Sequence, residues 1–106
     1  MLNINNIKLN PVNVKSLDTN REILVQNEKF KTVYFEFESG KGLPNHTHNG
    51  YAAIYVVDGS VDIEFKSGEK FELKQGDFLP FDARVEHNVI AKETSKVLVI
   101  ISQPLS

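Results

Sequence analysis

From Lys31 onwards the sequence alternates in a way that only β-structure explains. Val33, Phe35 and Phe37 interleave with Tyr34, Glu36 and Glu38, and Val61, Ile63 and Phe65 interleave with Asp62, Glu64 and Lys66. Successive side chains of a strand point to opposite faces, so a period of two builds one apolar face and one polar face. The runs are short because turn residues interrupt them: Ser39 to Gly42, Asp58-Gly59, Ser67-Gly68 and Gln75-Gly76-Asp77. An Asp-Gly pair between two such runs is a hairpin signal. Glu22 to Gln26, Lys31 to Glu38, Tyr51 to Val57, Val61 to Lys66, Lys70 to Leu73, Phe78 to Phe81, His87 to Ala91 and Lys96 to Ser102 all read as strands. No amphipathic helix of any length competes with them. The chain is expected to be all-β, a sandwich or barrel.

With 106 residues it is expected to form one domain, 1–106, large enough to bury its own core. Residues 1–20 read as an N-terminal edge segment and 30–102 as the barrel core. Leu2, Ile4, Ile7, Leu9, Val12 and Val14 are scattered apolar positions around Pro11, suited to an edge that caps the domain or pairs with a second copy in a homodimer. A formal net charge of −2 gives no general attraction to nucleic acid or to an anionic membrane. The absence of cysteine removes disulfides, thiolate metal sites and thiol nucleophiles. No stretch approaches the roughly 20 apolar residues of a membrane span, and the N-terminus has no secretory pattern. A cytoplasmic location is the expectation, and the sequon Asn45-His46-Thr47 is then a coincidence.

Three histidines carry the chemistry. His46 and His48 sit two apart ahead of the run Tyr51 to Asp58, and, read as one extended segment, they share a face with Gly50, Ala52, Ile54 and Val56. Val85, His87 and Val89 share a face in the later segment, while Glu86 and Asn88 point away. An imidazole aimed at an apolar interior needs a partner. If a second strand brings His87 opposite the first pair, three neutral nitrogens meet in a metal site of His46, His48 and His87. Gly50, Ala52, Ile54, Val56, Val85, Val89 and Phe35, with Val33 and Phe37 in support, are expected to line an apolar pocket around it. Three imidazoles suit Fe, Zn, Ni or Cu better than Ca or Mg, and three protein ligands leave positions open. Glu36, Asp82 and Tyr34 are the available bases, each with solvent exposure as its ordinary reading.

These residues resemble the cupin superfamily, whose small double-stranded β-helix (jelly-roll) barrel carries two metal-site motifs. The first places a Gly ahead of a His-x-His pair, then a Glu, then a closing Gly; Gly40, His46, His48 and Gly59 stand at those spacings, with Ala52 where the Glu falls. The second runs from a Gly-Asp pair through a Pro-x-Gly turn to a His; Gly76-Asp77 and His87 correspond, with Asp82 and Arg84 at the Pro and Gly positions. The resemblance spans about residues 30–102. It implies a small-molecule metalloenzyme, dioxygenase-like or an isomerase or lyase, acting on a ligand that is anionic or enolate-like. The alternative it leaves is a non-catalytic small-molecule or sugar binding or sensor module.

Overall fold

The computed structural model describes residues 10–105, so the expected edge positions Leu2, Ile4, Ile7 and Leu9 lie outside the described residues. A 3₁₀ turn at Val14–Ser16 precedes nine strands: β1 (Arg21–Gln26), β2 (Phe30–Phe37), β3 (Gly42–His46), β4 (Tyr51–Asp58), β5 (Ser60–Phe65), β6 (Lys70–Lys74), β7 (Phe78–Asp82), β8 (His87–Ala91) and β9 (Ser95–Ser102). They form two antiparallel sheets, ordered β1-β2-β9-β4-β7 and β3-β8-β5-β6. The chain passes back and forth between the sheets, as a jelly-roll barrel requires. Every run read as a strand is one, with bounds within one residue. Among the described residues, no helix is long and apolar enough to cross a membrane.

One strand has neither alternation nor an apolar run to announce it. β3 is GLPNH, an edge strand held by Gly42 opposite Ile90, Leu43 opposite Val89 and His46 opposite His87. Its register slips between Leu43 and His46, where Pro44 has no N–H to offer a ladder. This corrects the single-segment reading of the first two histidines. His46 closes β3 in one sheet, and Tyr51 opens β4 in the other. Residues 47–50 carry the chain across, so no continuous strand parity links His46 and His48 to Ala52.

The register sorts the inward side chains into rows of increasing openness. Val56, Val97 and Phe35 form one row of the five-stranded sheet, and Val33, Val99, Ile54 and Leu79 form the next. The following row is Gln26, Lys31, Ile101, Ala52 and Phe81. In the four-stranded sheet the matching rows are Ala91, Val61 and Leu73, then Leu43, Val89 and Ile63, then His46, His87 and Phe65. Val56, Val61, Ile63 and Val97 are wholly buried and belong to the main core cluster. Apart from Ile101, the third rows bring small, polar or ring side chains instead. The barrel is therefore filled at one end and open at the other, and the histidines stand at the open end. On the outer face of the five-stranded sheet, Lys96 Nζ donates to the carbonyls of Lys15 and Leu17, which holds the segment ahead of β1 against β9.

Candidate functional site

The pairing of β3 with β8 sets His46 against His87, ring centroids 4.3 Å apart and inclined at 61°. His87 is 4% exposed, whereas His46 lies exposed at the rim. Nδ1 of His46 lies 2.7 Å from the Pro44 carbonyl oxygen, and Nδ1 of His87 lies 2.7 Å from that of Val85. A carbonyl can only accept, so both Nδ1 atoms carry the proton. The lone pair of each ring is then on Nε2. His48 is held differently: its Nε2 donates to the Ser102 carbonyl at 2.7 Å, which leaves Nδ1 as its acceptor. Among the described residues, no group of three His, Cys, Asp or Glu side chains is gathered as a metal cage. The structure joins His46 to His87 and ties His48, in the crossover, to Ser102 of β9.

All three histidines line one cavity of about 450 Å³, together with Ala52, Ile54, Phe81 and Val89. Of the pocket residues expected from the sequence, Ala52, Ile54 and Val89 are on its wall; Gly50, Val56, Val85 and Phe35 are not. Val56 and Phe35 belong to the filled row beside Val97. Val85 packs half-buried against the core cluster. Gly50 is buried in the crossover, where a side chain would run into Ser102 Oγ at 2.5 Å and His48 Nε2 at 3.0 Å. The candidate bases are also elsewhere. Tyr34 donates to Glu36 and is fully buried, with its phenol pushed up to about 12, chiefly by that burial. Asp82 is clamped by Arg84 through bonds of 2.9 and 2.7 Å, which holds its carboxyl down at about 2.

Sequence reasoning missed Lys31, Gln26, Thr47, Ser102 and Gln103, which with the histidines form the polar part of the wall. For Lys31 a signal was present: it has the parity of Val33, Phe35 and Phe37 and so faces inward with them.

The decisive comparison is with family models. Residues 33–102 match the cupin domain. The chain belongs to the cupin family. Solved cupin structures agree in shape: an RmlC-like cupin from Desulfovibrio desulfuricans is 30% identical over 99% of both chains, with a TM-score of 0.73. KdgF from a Halomonas species is 30% identical over 81% of this chain and 80% of that one, with a TM-score of 0.70. A conserved protein of unknown function from Streptococcus pyogenes reaches a TM-score of 0.80 at 20% identity, over 100% of this chain and 98% of that one, a likeness of fold alone. No curated protein sequence matches this cupin.

Burial holds the His87 imidazole of this cupin below its ordinary 6.5; the bond to the Val85 carbonyl opposes that shift and the neighbouring His46 reinforces it. The fold thus favours the neutral ring. Its contribution to stability is fully present above the unfolded-state value and is lost as pH falls through the lower folded-state value. Metal-free protein is expected to melt at progressively lower temperature as pH falls through and below about 6.5, and His87→Gln to flatten that part of the profile. Parallel profiles for parent and variant would show that another group sets the acid sensitivity.

Proposed function

We propose that this cupin binds a divalent transition metal through His46 and His87, with His48 as the third imidazole, and uses it to bind and activate a small molecule. The observation that carries this reading is the tautomer of the facing pair. Both Nδ1–H groups are spent on backbone carbonyls, which is how metal-ligating histidines are commonly oriented. Two Nε2 lone pairs on rings 4.3 Å apart are left at the edge of a cavity with no Asp or Glu in its wall. Such a donor set suits Fe, Zn, Ni or Cu. When bound, the metal supplies a Lewis acid or a redox centre, the chemistry of a dioxygenase-like enzyme or of an isomerase or lyase.

The protein's own contribution is an apolar wall of Ala52, Ile54, Val89, Val99 and Ile101 that seats the carbon skeleton of a ligand. It holds the rings by their Nδ1 bonds and shields His87 from water. A non-catalytic binding module would use the same wall without turnover.

Titration of tag-free apoprotein with Zn or Ni, read by calorimetry and by elemental analysis, tests the metal. The expected result is about one metal per chain, with His46→Ala and His87→Ala each weakening uptake by more than the roughly 100-fold cost of losing an outer-shell partner. His48→Ala should also weaken it. Uptake undiminished in both His46→Ala and His87→Ala, or no uptake by the parent, would remove this reading.

A further inference from the structure

The histidine pair occupies the wall made by the four-stranded sheet; the facing wall carries a charge that has no ion-pair partner among the described residues. Lys31 is half-buried in the inward row Gln26, Lys31, Ile101, Ala52, Phe81, and every member of that row lines the cavity. Among the described residues the ion pairs are Arg84 with Asp82 and Lys92 with Glu72, neither involving Lys31. Among the described residues, no carboxylate stands in the cavity wall. Its neighbours there are neutral amides: Gln26, and Gln103, whose Nε2 donates to the Asn27 carbonyl at 2.9 Å. A lysine on an apolar face, directed into a cavity without a counter-ion, is an unfilled half of an ion pair.

The spacing gives the ligand a length. Adjacent strands lie about 4.8 Å apart, so Lys31 and Ala52, separated by β9, are about 10 Å apart along the row. The opposite sheet, with His46 and His87, is about 10 Å away. Between these ends the wall is aliphatic: Ile54, Val99 and Ile101.

We propose that Lys31 is the anion-recognising residue of this cavity, and that the ligand is a small carboxylic acid. Its carboxylate pairs with the Lys31 ammonium, a short carbon chain lies over Ile101 and Ala52, and oxygen donors at its other end reach the histidine wall. The metal end of this picture rests on the function proposed above. The contact with Lys31 does not need a metal.

The test uses metal-free protein and 2-oxoglutarate as the probe, beside its neutral dimethyl ester, followed by amide NMR titration of the parent, Lys31→Met and Lys31→Arg. Lys31→Met keeps the apolar stem and removes the charge. Charge-assisted hydrogen bonding predicts a roughly 10–100-fold loss of acid binding in Lys31→Met, largely restored by Lys31→Arg, with shifts centred on Gln26, Lys31, Ala52 and Ile101. The ester should bind parent and Lys31→Met alike, and added salt should weaken only the acid. A native amide spectrum for each variant secures the comparison. Acid binding by Lys31→Met within about twofold of the parent overturns the proposal, as does ester binding equal to acid binding, or no saturable binding by the parent. Metal uptake by the parent, with acid binding indifferent to Lys31, would remove this proposal alone. Acid binding that depends on Lys31, with no metal uptake, would remove only the metal reading.

Discussion

Gly42→Ala is expected to pull β3 off β8 and to separate His46 from His87. A methyl group at position 42 would lie 1.8 Å from the Val89 carbonyl oxygen and 2.7 Å from its carbonyl carbon. Both are backbone atoms of the paired strand, so no side chain can turn aside to make room. Relief requires the strands to part at the pair Gly42–Ile90, next to the register pairs Leu43–Val89 and His46–His87 and the side-chain bond from Asn88 to Asn45. The expected cost is at least about 3 kcal/mol, the upper end of ordinary overpacking. For a domain of this size that is a fall in Tm of more than about 10 °C. Gly68→Ala is the control: its φ of +110° strains any side chain, but no atom lies within 4 Å of the added methyl. Its cost should stay near the roughly 1–2 kcal/mol of a left-handed residue. If the two variants melt together, steric contact at Gly42 does not hold the histidine pair. Metal uptake measured on Gly42→Ala well below its Tm separates loss of the pair from global unfolding.

β3 also shows where the sequence stops being legible. The other strands are written in local alternation or as short apolar, β-branched or aromatic runs bounded by turn residues, which is why their limits fall within one residue of expectation. GLPNH has neither alternation nor β-branched residues, and it is a strand because β8 is beside it. That information is non-local. The same holds for His48, whose partner is the carbonyl of Ser102, 54 residues further on. Asn49-Gly50, a common turn pair, was the local hint that the chain would leave the strand before Ala52. Parity told which side chains face inward, but it did not tell how deep each would sit. Val56 and Phe35 share their strands with cavity residues, yet pair with Val97 in the filled row. Lys31 was readable by the same parity and stood at the open end, where an inward charge can be kept.

Phe65→Ala should join stability and site chemistry in one variant. Phe65 is 8% exposed, pairs with His87 across the sheet, and holds its ring 5.8 Å from that imidazole and 5.4 Å from Phe81. Phe81 in turn lies 4.9 Å from His87, so the two phenyl rings form the dry surround of the imidazole. Truncating a buried phenylalanine costs about 3–5 kcal/mol, and urea denaturation should show a loss in that range. Because burial is the main cause of the depressed His87 value, water admitted to the vacated space should raise that value towards 6.5. The gap between folded and unfolded values then narrows, and stability becomes less sensitive to acid. The same rise makes protons compete with a metal at higher pH, so metal release on acidification should begin earlier in Phe65→Ala than in the parent. Phe65→Leu keeps most of the apolar volume and should leave the His87 titration close to that of the parent, at a smaller stability cost. An NMR titration in which Phe65→Ala leaves His87 unmoved would mean that the backbone of β8, and not the phenyl rings, keeps the imidazole dry.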